Sequence, residues 1–232
     1  MDAEDDDFDA VLENEELGRR QIEHHADAGR RLKLMNCAME GEDLTSLQFR
    51  RWHFEQCRLV RAEFDGAALE EARFVGCKGG FASFSGADLT EAIIDGGDFN
   101  NASFRRSSLV DAKLLRCKMT GADFSDVKSL GLKLEVVMLS LAKFPKLSFR
   151  KSLLKQVDFT DADLHACDFR ETVFAGCSLR NANLVDCRFE DADLRGADIG
   201  GIKLIDLKPF KGAVISRAQA GELVGQLGLK VA

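Results

Sequence analysis

A five-residue period runs through most of this chain and restricts what it can fold into. Stepping by five from Leu34 gives Met39, Leu44, Phe49, Phe54, Leu59 and so on to Leu204, and 33 of those 35 positions are Leu, Phe, Ile or Met. Only Gly79 and Ser129 depart from the rule. Two residues before each large position lies a small one: 14 of these 35 sites are Ala and seven are Cys, which accounts for every cysteine in the chain (Cys37, Cys57, Cys77, Cys117, Cys167, Cys177 and Cys187). The other three registers are rich in Asp, Glu, Lys, Arg, Asn, Ser and Gly, as turns and solvent-facing positions should be. One unit therefore reads small, polar, large apolar, polar, polar.

Neither a 3.6-residue helix nor a period-two strand holds one side chain in five inside for 35 units without drift. A chain that turns a corner every five residues does, and stacked coils of that kind enclose a narrow interior filled by the large and small registers. The cysteines suggest the coil length. Cys37, Cys57, Cys77, Cys117 and Cys177 differ by multiples of 20, as do Cys167 and Cys187, so like residues stack if four units make one coil. Almost nine coils at about 4.8 Å each predict a rod on the order of 40 Å long. Fourteen of the 17 Phe lie in the large register and Tyr is absent, because a phenol at such a site buries a hydroxyl with no assured partner.

The frame seen in Ala87-Asp88-Leu89, Ala122-Asp123-Phe124, Ala162-Asp163-Leu164, Ala182-Asn183-Leu184 and Ala192-Asp193-Leu194 resembles the pentapeptide-repeat proteins, and the resemblance covers residues 32–206. It implies an all-β fold, a right-handed quadrilateral β-helix with short helical flanks. The C-terminal run Gln219-Ala220, Leu223 and Leu227-Gly228-Leu229 is similar to the tail of the Qnr-like branch, and Ser129-Leu130-Gly131-Leu132-Lys133-Leu134 is similar to that branch's mid-rod kink. In the Qnr-like and MfpA-like proteins the tail joins two rods into a dimer shaped like duplex DNA, whose acidic surface occupies the DNA site of gyrase. The resemblance thus implies a non-enzymatic DNA mimic that binds DNA gyrase or another type II topoisomerase as a homodimer. The repeat shows no frame-breaking loop, which allows inhibition of the enzyme as well as protection from quinolone-like drugs.

Two flanks lie outside the frame. Residues 1–31 carry 11 acidic and four basic side chains, a charge of −7 that equals the net charge of the whole chain. They are expected to form an acidic arm and a modest helix, with Phe8, Val11 and Leu12 on one helical side, capping the first coil. Residues 207–232 are expected to form a C-terminal cap with a helix starting at Ser216 and to supply the dimer interface through Leu207, Phe210, Val214, Ile215, Leu223, Val224, Leu227 and Leu229.

Sorting residues 32–206 by position in the 20-residue coil gives faces of +3 for that of Leu34, 0 for that of Met39, −4 for that of Leu44 and −2 for that of Phe49. The candidate partner-binding acids are on the last two: Glu42, Asp43, Glu63, Asp65, Glu70, Glu71, Asp88, Glu91, Asp123 and Asp126. A continuous acidic stripe would favour gyrase, and a patchwork would favour the alternative, a scaffold for some other cytosolic protein.

Gly79-Gly80-Phe81 empties one large site, which Phe81 could fold back to fill. Between Val127 and Val157 the small register turns bulky and Met138 and Leu141 point apolar groups outward, which fits either a kink or an apolar contact patch.

No chemistry motif stands out. Walker A, G-x-G-x-x-G, H-E-x-x-H and C-x-x-C are all absent. His24, His25, His53 and His165 are scattered. Asp5, Asp7, Asp9 and Glu16 match four positions of a calcium loop, but Ala10 stands where its turn needs Gly. No catalytic residue, cofactor or metal is expected. A charge of −7 argues against direct nucleic-acid binding. No apolar run approaches the roughly 20 residues of a membrane helix, and MDAEDDDFDA is no secretory signal, so a cytoplasmic location with reduced thiols is expected.

Overall fold

From Asn36 to Asp191 the second residue after each large one takes a positive φ, between 49° at Gln156 and 74° at Gly131, so the backbone turns a corner at every unit. The residue before the large one often closes the same corner: Asp43, Asp88, Asp123, Asp158, Asp163 and Asp168 each accept the backbone N–H two residues on, at 2.9–3.3 Å. This is the Asx-turn that short carboxylates favour, and it explains the recurrent Asp of the sequence frame.

The computed structural model describes residues 8–26, 29–203 and 208–229. One face carries ten strands that pair in parallel and in sequence order: β1 (Ala10–Glu13), β2 (Leu32–Met35), β3 (His53–Glu55), β4 (Arg73–Val75), β5 (Ile93–Asp95), β6 (Lys113–Leu115), β7 (Lys133–Glu135), β8 (Leu153–Lys155), β9 (Val173–Ser178) and β10 (Asp193–Asp198). From β2 to β9 each residue pairs with the one 20 positions on, as in Phe54↔Phe74. Single bridges of the same spacing join the other three faces, for example Ala38↔Arg58, Asp43↔Glu63 and Gln48↔Ala68. The result is a parallel β-solenoid of four-sided coils. We number the faces from that of Leu34: first (32–36), second (37–41), third (42–46) and fourth (47–51), and so on in each coil.

The interior is close-packed. Phe64, Phe84, Phe104, Phe124 and Phe144 stack in one column behind the third face with ring centroids 4.2–5.0 Å apart. Phe149, Phe169 and Phe189 stack behind the fourth. All seven cysteines are buried and unpaired, and their S–H groups point at carbonyls of the preceding coil, as in Cys77 to Phe54 O (3.2 Å) and Cys167 to Phe144 O (2.9 Å). Burial pushes the Cys117 thiol up to about 11 and that of Cys187 up to about 12. Such thiols stay protonated and act as small packing groups.

The site emptied at Gly79 is filled from the next coil, not by Phe81. A Cβ at Gly79 would lie 2.5 Å from Phe99 Cδ1, and one at Gly97 would lie 2.8 Å from Phe99 Cε2. The two glycines make room for that ring. Phe81 remains 58% exposed, with the Arg61 guanidinium 5.6 Å from its centroid.

The solenoid reaches beyond residues 32–206 at both ends. Val11 and Leu12 lie in β1, not on a helix, and Ala10 pairs with Leu32, 22 residues away. Leu12 and Leu17 take interior positions one coil before Leu34 and Met39, two residues out of phase with the five-residue frame, and helix α1 (Arg19–Ala26) takes the place of the next two sides, burying Ile22 and Ala26. At the other end Phe210 stacks on Phe189 at 4.4 Å, 21 residues on, and Leu194 N donates to Val214 O (2.9 Å). One extra residue has entered the frame, and Phe210 and Ile215 pack where further interior residues belong.

Helix α2 (Arg217–Gly225) then closes the end. Its Ser216 N-cap and Gln219 form a capping box. The Gln219 amide donates to Leu194 O (2.8 Å) and Ala197 O (2.7 Å), two carbonyls of the last coil.

Midway, β7 and β8 share one paired residue, Glu135↔Lys155, where β6 and β7 share three. The ladder thins in the segment whose small register is bulky. Leu130, Leu141 and Leu153 are exposed there.

Candidate interaction site

The third and fourth faces gather eight of the ten expected acids at the N-terminal end. Glu42, Asp43, Glu63 and Asp65 lie on two successive coils of the third face, where Asp43 and Glu63 are bridge partners. Glu70, Glu71, Asp88 and Glu91 lie on two successive coils of the fourth. Asp123 and Asp126 stand apart, separated from Asp65 by a serine-bearing coil and then by a coil that carries Arg105 and Arg106.

Much of this acid is already engaged. Glu42 Oε2 accepts the Arg19 N–H at the start of α1 (2.9 Å), where a carboxylate also suits the helix dipole. The Arg19 guanidinium binds Asp43 (2.9 Å) and Glu23 (2.8 Å). Both acids therefore anchor the cap helix to the third face. The sequence analysis missed Arg19, which carries no spacing signal because it lies outside the frame. Asp65 accepts the Ser83 hydroxyl and the Ser85 N–H (3.1 Å). Glu71 pairs with Arg50 (3.4 Å) and Arg51 (3.3 Å). Asp88 accepts both the N–H (3.0 Å) and the hydroxyl (2.6 Å) of Thr90. Glu63, Glu91 and Asp126 are exposed.

Burial pushes the Asp123 carboxyl up, but hydrogen bonds from Ser125 and the charges of Lys143 and Arg105 outweigh it and hold the group below the usual carboxylate range. Those same cations, 3.7 and 3.9 Å away, interrupt the acidic face. Lys143 and Lys146 then open the next coil. The third face is thus a patchwork rather than a continuous stripe.

Of the expected interface residues, Phe210, Ile215 and Leu223 turn inward onto the end of the rod. Val214, Leu227 and Leu229 are exposed and Val224 is half-exposed. Leu207 lies outside the described residues. Among the described residues no group of three His, Cys, Asp or Glu side chains is placed to hold a metal, and no helix is long and apolar enough to cross a membrane.

Two family models match the chain, both described as pentapeptide repeats: one of eight copies over residues 82–126 and one of nine copies over residues 142–198. Residues 82–126 and 142–198 are pentapeptide repeats. No curated protein matches it in sequence. Among solved structures, this pentapeptide-repeat rod is similar to full-length QnrB1, a plasmid-mediated fluoroquinolone resistance protein, with a TM-score of 0.69 and 21% identity over 94% of this chain and 97% of that one. A trypsin-treated QnrB1 variant gives a TM-score of 0.60 and 22% identity over 96% and 97%. At this identity the likeness shows a shared fold.

Proposed function

We propose that this chain is a non-enzymatic binding rod that engages DNA gyrase or another type II topoisomerase and modulates it or protects it from quinolone-like inhibitors. The observation that carries the reading is the likeness to QnrB1 along nearly the whole of both chains, flanks included. A filled interior supports a function carried by the outside of the rod. The acidic cluster of Glu63, Glu70, Asp88 and Glu91 is the part of the surface best suited to a site that otherwise holds DNA. Val214, Val224, Leu227 and Leu229 are the tail residues available to join two rods into a dimer.

A second reading has its own support. Arg105, Arg106, Lys143 and Lys146 break the acidic face, which suits a scaffold for a different protein partner.

Gyrase supercoiling and quinolone-induced cleavage, measured with purified protein across micromolar concentrations, separate the two. The first reading expects a dose-dependent change in one or both, and unchanged activity throughout would leave the scaffold. Light scattering of a Leu227→Ser, Leu229→Ser variant tests the dimer. These positions lie outside the core, so a dimer that persists moves the interface elsewhere.

A further inference from the structure

The second face is complementary to itself. From 57–61 to 157–161 its six successive segments carry +2, +1, −1, +1, 0 and −2. Turned end for end about a point between 97–101 and 117–121, the series meets its own opposite, and only Lys78 faces an uncharged segment, that of Met138. Arg61 then stands opposite Asp161, Arg58 opposite Asp158 and Asp98 opposite Lys118, each pair formed twice about a two-fold axis. Arg61, Asp161 and Lys118 are exposed. Among the described residues none of the three is in an ion pair of its own chain, and the Arg61 guanidinium rests on the Phe81 ring.

The other faces lack this property. The corresponding arrangement sets Glu63 against Asp163 on the third face and Glu71 against Glu171 on the fourth. On the first face opposite signs do meet, but Lys33–Glu55 (3.0 Å), Arg116–Asp95 and Lys155–Glu135 (3.8 Å) are already ion pairs within the chain.

The same two-fold brings together the exposed apolar side chains of the second face. Phe81 is 58% exposed and Leu141 61%. Both sit at corners, with φ of 62° and 61°, where a bulky residue is strained and the single rod gives no burial in return. Coils rise about 4.8 Å, so each lies about 7 Å from the axis on opposite sides, and Phe81 of one rod covers Leu141 of the other. Beside them Met138 meets the aliphatic stem of Lys78.

We propose that two copies of this chain pair antiparallel through their second faces, with the two-fold axis between 97–101 and 117–121. Six coils by a side of about four residues make about 29 Å by about 13 Å. That is roughly 400 Å² per rod, half of the about 800 Å² per partner in a stable complex. The pair is therefore weak, concentration-dependent and steered by charge. It is separate from the tail contact and does not depend on which other protein the rod binds.

Sedimentation equilibrium at low salt and up to about millimolar protein, the range a contact this small requires, tests the proposal. The full chain carries Leu227→Ser and Leu229→Ser, which removes the tail contact, and reversible association into dimers is expected. Arg61→Asp alone or Asp161→Arg alone should raise the dissociation constant at least about tenfold. The two together should restore it, because each acid again faces an arginine. Both residue types already stand at corners of this rod, as at Asp111 and Arg106, so the exchanges keep its frame. A monomer throughout, single variants that associate as their parent does, or a double variant as weak as the singles would each overturn the proposal.

Discussion

Val136 shows what the corner geometry asks of a single residue. Its φ is 57° and its side chain is 41% exposed, so a β-branched residue holds a left-handed conformation with little burial in return. Most other corner positions are filled by Gly, Asn, Asp or long polar side chains, with Ser46, Phe81, Leu141 and Ala166 the exceptions. Replacing Val136 with Gly removes about 1–2 kcal/mol of left-handed strain against about 0.5–1 kcal/mol of lost backbone restriction. The expected outcome is a gain of up to about 1.5 kcal/mol, read as a higher urea midpoint with an unchanged slope. A lower midpoint would show that the exposed side chain contributes packing that outweighs the strain.

At this scale the sequence was most transparent for what lies inside. A side chain every five residues has one place to go, so the Phe columns and the buried thiols could be read directly. The partner of an empty site could not. Filling the space at Gly79 from Phe99 depends on which ring of the neighbouring coil leans across, and no period encodes that. Nor does composition tell an Asp that closes its own corner, such as Asp88, from an exposed carboxylate such as Glu63.

At the scale of the element, the caps were the least legible. A 20-residue ladder carries no instruction for its ends, and a two-residue shift before Leu34 hides the fact that Leu12 and Leu17 already fill a coil of the rod. The corner carboxylates make a prediction here. Hydrogen bonds from Arg195 hold Asp193 down at about 2. Those from Arg170 hold Asp168 below its ordinary range, as the Ser125 bonds do for Asp123. A carboxyl with a lowered folded-state pKa favours the folded state when ionised, so its full contribution is present above about pH 4, near the unfolded value, and is lost as pH falls through the folded values. Urea unfolding is therefore expected to show near-constant stability from pH 7 to about 5 and a decline toward pH 2. The decline should be shallower in an Asp168→Asn, Asp193→Asn variant. An unchanged profile in that variant would show that the corner bonds do not depend on charge.

For the whole molecule, charge arrangement matters more than charge total. The expected partner-binding acids of the third face occupy the first two coils and the fifth, and Arg105 and Arg106 fall in the gap nearest Asp123. If the acidic surface is what a topoisomerase recognises, Arg105→Glu with Arg106→Glu should make it more continuous and strengthen binding several-fold, and the gain should shrink as salt rises. Weaker binding would place those arginines in the contact itself. Surface plasmon resonance against gyrase at two salt concentrations distinguishes the outcomes. The five-residue frame made this four-faced layout countable from the sequence, but which acids were already bound to Arg19 or to their own corner had to come from the structure.

The extra residue between the β10 coil and Phe210 also bears on how the molecule avoids polymerising. A solenoid of identical steps offers its last coil as a template on which another molecule's first coil could grow, as fibrils do. Here the final step is one residue out of register, and the Gln219 amide already occupies the carbonyls that an incoming strand would need. The capping helix therefore works as a chain terminator, closing the end with occupied carbonyls rather than by repulsion.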